Sequence, residues 1–409
     1  MKRYSEYKDS GVKWIGEIPG HWEIRRLKNV VLCNAETLSE NFPKDEVIKY
    51  VEISDVNYTS GITNIQRMPF GEAPSRARRI TKKNDVIVST VRTYLKAVAK
   101  IQEDGLIVST GFAVLHPLIG NSSFLSYFAL SESFIHNVIV NSKGISYPAI
   151  TASDLICIAM PLPPLSEQEA IVTYLDSKVD KIDEYISIAE KKIAALEELK
   201  QTIIAEAVTR GIHKDVPMKD SGVKWIGMIP EHWDCCKLKY FTRIKSGDAL
   251  TNNALSDTGK YKVYGGGDFM GFYDKYNVDA NTILIGRVGA RCGCVTITEE
   301  KAWATDNALI LIHFNINTKF LTYLLVAANL NSLSISNAQP LITGSKVKDS
   351  FIPIPPLPEQ QEIVTYNEAK VAKIDQLCQA ERSQIEKLKE YKQRLISDVV
   401  TGKVKVTND

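Results

Sequence analysis

The chain lacks most of the signals that would make it a membrane, secreted or self-sufficient catalytic protein. No apolar run in its 409 residues approaches the roughly 18–20 needed to cross a bilayer. The opening MKRYSEYKDS carries no apolar stretch of the kind that leads a protein into secretion. Its seven cysteines are odd in number and irregularly spaced, which argues against a disulfide framework. Cys235 and Cys236 are adjacent, and Cys292 and Cys294 are separated by one residue; neither is zinc-finger spacing. No phosphate-cradling GxxxxGK[ST] loop is present, so no ATP-driven motor is expected. LPPL at 162–165 has no polar residue before the prolines and no aromatic after them, unlike a nucleotide methyltransferase loop. GGGDFMG at 265–271 lacks the βαβ setting of a dinucleotide turn and reads as a glycine-rich hairpin loop. No nucleophile–base constellation can be assembled from spacing. The expectation is a cytoplasmic protein with no catalytic residues, no metal and no cofactor.

What is present is one unit written twice. Residues 8–28 read KDSGVKWIGEIPGHWEIRRLK, and residues 219–239 read KDSGVKWIGMIPEHWDCCKLK. A second pair follows: PLPPLSEQEAIVTYLDSKVDKID from Pro161 and PIPPLPEQQEIVTYNEAKVAKID from Pro353, 192 positions later. Two long copies cannot form a solenoid, which stacks many short ones. They predict two similar domains about a pseudo-twofold axis. Trp14, Trp22, Trp225 and Trp233 belong to the repeated element and read as packing anchors, with His21 and His232 fixing the turn beside them.

Each unit ends in a long helical pattern. Leu175, Val179, Ile182, Ile186, Ala189, Ile193, Leu196, Lys200, Ile203 and Ala207 follow an alternating four-then-three spacing. So do Asn367, Val371, Ile374, Cys378, Glu381, Ile385, Leu388, Lys392, Leu395 and Val399. A sustained seven-residue repeat is the mark of a coiled coil. Both copies place a lysine at one seam position, Lys200 and Lys392, as a register-fixing polar interruption would. Ser166 followed by Glu169 predicts a capping box, and Pro358 in place of Ser166 predicts a weaker second cap. Gly211 and Gly402 predict the helix stops. The two rods, roughly forty residues and about 60 Å each, are expected to pack on each other antiparallel rather than on another protein's helices.

Between these elements the chain reads as strands with turn signals, such as EVIKYVEI, DVIVSTV and GLIVST, then KYKVYG, TILIGRV and ALILIHF. Val86-Ile87-Val88 can be laid on Ile283-Leu284-Ile285, and Arg92 then falls on Gly289. Phe124-Leu125-Ser126-Tyr127 falls on Phe320-Leu321-Thr322-Tyr323, and Pro148-Ala149-Ile150-Thr151 on Pro340-Leu341-Ile342-Thr343. The frame repeats while the loop side chains do not, and that divergence points to binding.

Charge points the same way. The net charge is only +2, yet residues 67–100 hold Arg67, Arg76, Arg78, Arg79, Lys82, Lys83, Arg92, Lys96 and Lys100 against Glu72 and Asp85. Such segregation gives one face a positive field in a nearly neutral chain. Arginine suits guanine edges, asparagine and glutamine suit adenine, and small hydroxyls suit phosphates. The candidate DNA-binding residues of the first domain are Arg76, Arg78, Arg79, Arg92, Thr93, Tyr94, Lys96, Lys143, Ser146 and Tyr147. Those of the second are Tyr264, Gly266, Asp268, Arg287, Arg291, Asn337 and Gln339. The second domain is less basic and should make fewer phosphate contacts.

With both repeats in alternating order, the chain resembles the specificity subunit of type I restriction–modification systems. The SGVKWIG…HW segments look like the entries of that family's two target-recognition domains. PLPPLSEQEAIV and PIPPLPEQQEIV look like the openings of its helical regions. The resemblance implies an α+β fold: two similar mostly-β target-recognition domains separated by two long antiparallel coiled-coil helices, with a pseudo-twofold internal repeat. It divides the chain into residues 1–160 and 212–352 as recognition domains and 161–211 and 353–409 as helical regions. It further implies double-stranded DNA as partner, each domain reading half of a bipartite site. Two modification (methyltransferase) subunits would dock on the helices, with restriction subunits joining through them and no membrane involved. The alternative on the residues alone is a coiled-coil interaction scaffold whose β domains bind proteins.

Overall fold

The computed structural model describes residues 2–144, 147–213, 215–334 and 340–406. The chain divides into two compact units, Met1–Ala189 with Ser383–Asp409, and Glu190–Arg382. Among the described residues no helix is long and apolar enough to cross a membrane.

The first unit is built on two four-stranded sheets. One runs Val98–Lys100, Val86–Ser89, Phe112–Pro117, Val31–Cys33, antiparallel throughout. The other runs Gln66–Pro69, Val47–Val51, Ile107–Ser109, Ala77–Ile80, with one parallel pair at its centre. Strand alternation explains how they pack. Val86, Val88, Ala113 and Leu115 turn into the main core with Trp22 and the helices Ser122–Leu130 and Glu132–Val140. Ile87, Phe112 and Val114 turn the other way, onto Val51 and Val108 of the second sheet. Successive side chains of a strand point to opposite faces, so a strand buried on both sides reads as an unbroken apolar run such as VIV.

The second unit repeats this frame. Thr242–Ser246, Ala308–His313, Ile283–Gly286 and Val295–Ile297 form its first sheet, and Phe269–Tyr273, Tyr261–Tyr264 and Ala302–Ala304 its second. Ile283, Ile285, Leu309 and Leu311 face the main core with Trp233, while Leu284 and Ile310 face the smaller one. The sequence correspondence between the two copies therefore extends to which side of the sheet each residue takes.

Two helices of 46 and 44 residues, Leu165–Arg210 and Leu357–Val400, supply a helical pair to each unit. In the first unit Lys392 reaches Asp183. In the second, Lys200 reaches Asp375, Lys192 reaches Glu381 and Arg382 reaches Glu197. From Lys192–Glu381 to Lys200–Asp375 the number on the second helix falls as that on the first rises, so the pairing is antiparallel as expected. The seam positions Leu175, Ile182, Ala189, Ile374, Cys378 and Ile385 are buried.

The helix starts depart from expectation. Ser166 is not an N-cap: the helix begins at Leu165, and Ser166 lies exposed in its first turn. Pro358 does no harm either, because the second helix begins at the equivalent Leu357, and a first-turn proline gives up an N–H that the helix leaves unbonded anyway. What secures both starts is the glutamine two positions later. Gln168 Nε2 donates to Pro163 O at 2.8 Å and its Oε1 accepts from Asn121 N at 2.8 Å. Gln360 makes the same two bonds to Pro355 O and Asn317 N, both at 2.8 Å. Gly211 and Gly402 end the helices as expected, both at φ 76°. A Cβ on Gly402 would strike Pro19 at 2.4 Å, and one on Gly211 would press on Trp233 at 3.2 Å.

Candidate nucleic-acid interface

The repeated His-Trp pair is structural, as the sequence suggests, and its partner is now visible. Trp22 Nε1 donates to Glu167 Oε2 at 3.0 Å, and His21 Nε2 lies 2.8 Å from the same oxygen. Glu359 receives Trp233 and His232 at the same distances. Each frame is thus fastened to the first turn of a long helix through a carboxylate, buried at Glu167 and half-buried at Glu359. Sequence reading missed these glutamates, although the Glu-Gln pair stands in both copies of the repeat.

The loops that this frame positions lie at the ends of the central strands. In the first unit the chain after Val86–Ser89 pairs with 148–150: Val91 bridges Ala149, Ile150 N donates to Thr90 O at 2.8 Å, and Thr93 N donates to Pro148 O. Lys143 and Ala149 exchange backbone bonds at 2.8 and 2.9 Å. Thr93 Oγ1 lies 2.9 Å from Ser142 Oγ. Arg92, Thr93, Tyr94, Lys96, Lys143 and Tyr147 are therefore brought into one loop group. The Arg92 guanidinium sits 5.1 Å from the centre of the Tyr147 ring, and Lys96 Nζ 5.4 Å from that of Tyr58.

Arg76 joins this group through its backbone, since its carbonyl accepts from Thr110 N, and Gly111 O in turn accepts from Thr90 N. Its side chain is already engaged by Glu52. Burial opposes ionisation of Glu52, but bonds from Tyr50, Arg76 and Ile53 N outweigh it and hold the carboxyl below its ordinary range. Burial and then the same carboxylate push Tyr50 up to about 12. Arg78 and Arg79 have other contacts: Arg78 lies 4.9 Å over Phe70 and donates to Ser75 O, and Arg79 donates to Thr37 Oγ1 at 3.2 Å. Ser146 lies outside the described residues.

The second unit rebuilds the loop with other side chains. Val288 bridges Leu341, Ile342 N donates to Arg287 O at 2.9 Å, and Gly289 N donates to Pro340 O at 3.1 Å. Gly289, at φ 76°, takes the place of Arg92, at φ 51°. Arg291 pairs with Asp268 at 3.0 Å, joining the turn to the glycine-rich hairpin. Gly266 closes that joint, because a Cβ there would come within 2.9 Å of Val288 O. Arg287 reaches Ser246 Oγ at 3.3 Å, and Tyr264 packs partly buried against the smaller core. Asn337 and Gln339 lie outside the described residues. Exposed apolar residues that sequence reading passed over, Leu95 in the first unit and Phe269 and Met270 in the second, sit beside these loops. Among the described residues no cluster of His, Cys, Asp and Glu could hold a metal ion.

Comparison with known proteins adds an independent line. The family model described as the type I restriction modification DNA specificity domain matches residues 19–198 and 230–387. The putative type I restriction enzyme MjaX specificity subunit of Methanocaldococcus jannaschii is 26% identical, with 98% of each chain covered. The MjaVIII specificity subunit of the same organism is 26% identical over 68% of this chain and 69% of its own. Among solved structures, a chain from work on complex assembly and conformational transition of the type I R-M system aligns with a TM-score of 0.73 at 24% identity. That alignment covers 95% of this chain and 99% of the other. The HsdS subunit of Thermoanaerobacter tengcongensis aligns with a TM-score of 0.50 at 26% identity, covering 95% and 98%.

Proposed function

Because the chain belongs to the type I restriction–modification specificity family, the non-catalytic DNA-recognition subunits of those complexes, we propose that each of its units reads one half of a bipartite, asymmetric DNA site. Residues 1–160 and 212–352 act as the two readers. Residues 161–211 and 353–409 set the number of unread base pairs between the halves and dock two modification (methyltransferase) subunits, through which restriction subunits join. The complex works on duplex DNA in the cytoplasm.

The observation that carries this reading is the duplicated loop with exchanged side chains. Arg92 stands where the second copy has Gly289, and Thr90 where it has Arg287, on strand ends that bond Ile150 and Ile342 alike, although Pro148 O accepts from Thr93 N and Pro340 O from Gly289 N, one position earlier. One frame presenting two chemistries is what an asymmetric two-part site requires. In the first unit the contacts fall to Arg92, Thr93, Tyr94, Lys96, Lys143, Ser146 and Tyr147, with Arg76, Arg78 and Arg79 toward phosphates. In the second they fall to Tyr264, Gly266, Asp268, Arg287, Arg291, Asn337 and Gln339. Half-sites about one turn of DNA apart, roughly 34 Å, call for a stiff spacer, and helices that repeat one seam twice supply it. The scaffold alternative explains the helices but leaves the arginine-bearing loops idle.

The test is expression with the modification subunit followed by genome-wide mapping of methylated adenines. A two-part motif with a fixed gap is expected. Removing one heptad from each long helix should change the gap and leave both half-site sequences as they were. A motif without a gap, or a gap indifferent to heptad number, would sink the assignment.

A further inference from the structure

The turn beside Arg92 carries a feature that hydrogen-bonded reading does not use. Thr93–Leu95 form a single 3-10 turn, and the residues flanking it are both left-handed: Arg92 at φ 51°, ψ 47°, and Lys96 at φ 53°, ψ 36°. Residues other than glycine, asparagine and aspartate seldom take that conformation, and persist there only where the surroundings over-determine it. Here Thr93 does so, buried between Ser142 Oγ and Pro148 O. The effect is to push two neighbouring apolar side chains outward. Tyr94 is 51% exposed and Leu95 45%. Isolated apolar residues on a surface are ordinary. An adjacent pair held out between two strained cationic residues is a shaped projection, and the two cations rest on neighbouring rings, Arg92 on Tyr147 and Lys96 on Tyr58.

A base-pair step of duplex DNA is the ligand that matches it. When a step opens, the gap is walled by apolar base faces and rimmed by phosphates, and proteins that kink DNA fill such gaps with apolar side chains. We propose that Tyr94 and Leu95 form a wedge that enters one base step of the half-site read by the first unit, with Arg92 and Lys96 facing the phosphates on either side. The proposal rests on the DNA-reading function above and adds selection by deformability to it, since flexible steps open at least cost. The corresponding turn of the second unit, Gly289–Arg291, has no large apolar side chain. The exposed Phe269 and Met270 of the second unit stand on the neighbouring hairpin rather than on this turn, so the wedge built on this turn acts in one half-site only.

The experiment uses the full chain with its modification subunits on a duplex bearing the mapped site, with 2-aminopurine placed at successive positions of both halves. Methyltransferases extrude their own target base, so brightening there is expected in every variant and carries no weight. Brightening at one further step, in one half-site, is the expected result. It should vanish in the Tyr94→Ala/Leu95→Ala double variant, whose affinity for the site should fall about tenfold, the order of one lost base–aromatic stack, with non-cognate affinity within about twofold of wild type. Tyr94→Phe/Leu95→Met should keep the step bright, which separates loss of the wedge from loss of the fold. A complex that binds its site tightly with no further bright step overturns the wedge and leaves DNA reading standing. A bright step that survives the alanine variant overturns it too. A complex without site preference overturns both.

Discussion

Lys392 Nζ lies 2.7 Å from both carboxylate oxygens of Asp183 on the antiparallel helix of its unit. In the other unit Lys200 stands 2.7 Å from Asp375. Asp183 and Asp375 are themselves 192 positions apart, like the two lysines, so each seam lysine meets the same acid of the opposite helix. A buried or half-buried ion pair adds little net stability over an apolar pair, but reversing one member leaves like charges face to face. Lys392→Asp should destabilise the first unit by about 1–2 kcal/mol in urea unfolding, and Lys392→Asp with Asp183→Lys should recover most of that loss. Failure of the double variant to recover would remove the register role from this pair.

Asn367 offers the opposite prediction. It occupies the seam position that Leu175 fills in the first copy, and both are fully buried. Neither its Oδ1 nor its Nδ2 has a hydrogen-bond partner among the described residues. Burying an amide without partners costs about 1–3 kcal/mol, and leucine at a seam position would add apolar burial. Asn367→Leu should therefore raise the stability of the second unit by that order, read as a higher denaturant midpoint at unchanged slope. A lower midpoint would mean that the amide is satisfied in solution.

The carboxylate of Glu167 is the next point of failure. Tyr4, His21 and Trp22 all converge on it, and Trp22 is completely buried. Removing the acceptor leaves a buried indole N–H unbonded, at about 1–3 kcal/mol. Glu167→Ala should lower the stability of the first unit by that amount or more and shift Trp22 emission, while Glu169→Ala, two residues further on and exposed, should change neither. Equal effects would show that the Glu167 contacts are dispensable.

The sequence disclosed the periodic parts of this molecule and hid the contacts that join them. Heptads are legible because period alone forces one face of a helix inward, and VIV against ILI is legible because a strand buried on both faces has no polar alternation. Ser166 misled because a Ser-x-x-Glu pattern names a capping box only where the helix starts after the serine, and the proline carbonyls upstream move that start to Leu165. Nothing local says that Gln168 will reach Asn121, or that Glu167 will meet Trp22, since those pairings close over 47 and 145 positions. Among candidate contacts, the loop group around Arg92 was legible from its alignment on Gly289. The inclusion of Arg78 and Arg79 rested on charge alone, and their side chains are held against Phe70 and Thr37.

Arg92 itself allows stability and binding to be pulled apart. Its left-handed backbone is one that glycine adopts freely, and Gly289 adopts it at the matching position of the second copy. Replacing a strained residue by glycine relieves the strain and loosens the unfolded chain, and for a residue at φ 51° the first effect is of order 1 kcal/mol. Arg92→Gly should therefore leave the first unit as stable as before or slightly more so, whereas Arg92→Ala, which keeps a Cβ, should not gain. Both remove the guanidinium that rests on Tyr147, and both should weaken binding to the cognate site by more than Lys181→Ala, an exposed change on the first long helix. The contrast should be read at one fixed salt concentration, because any lost cation lowers affinity in proportion to the counterions released. Equal losses for Arg92→Gly and Lys181→Ala would reduce Arg92 to a general surface charge, and the strain in its turn would then need another explanation.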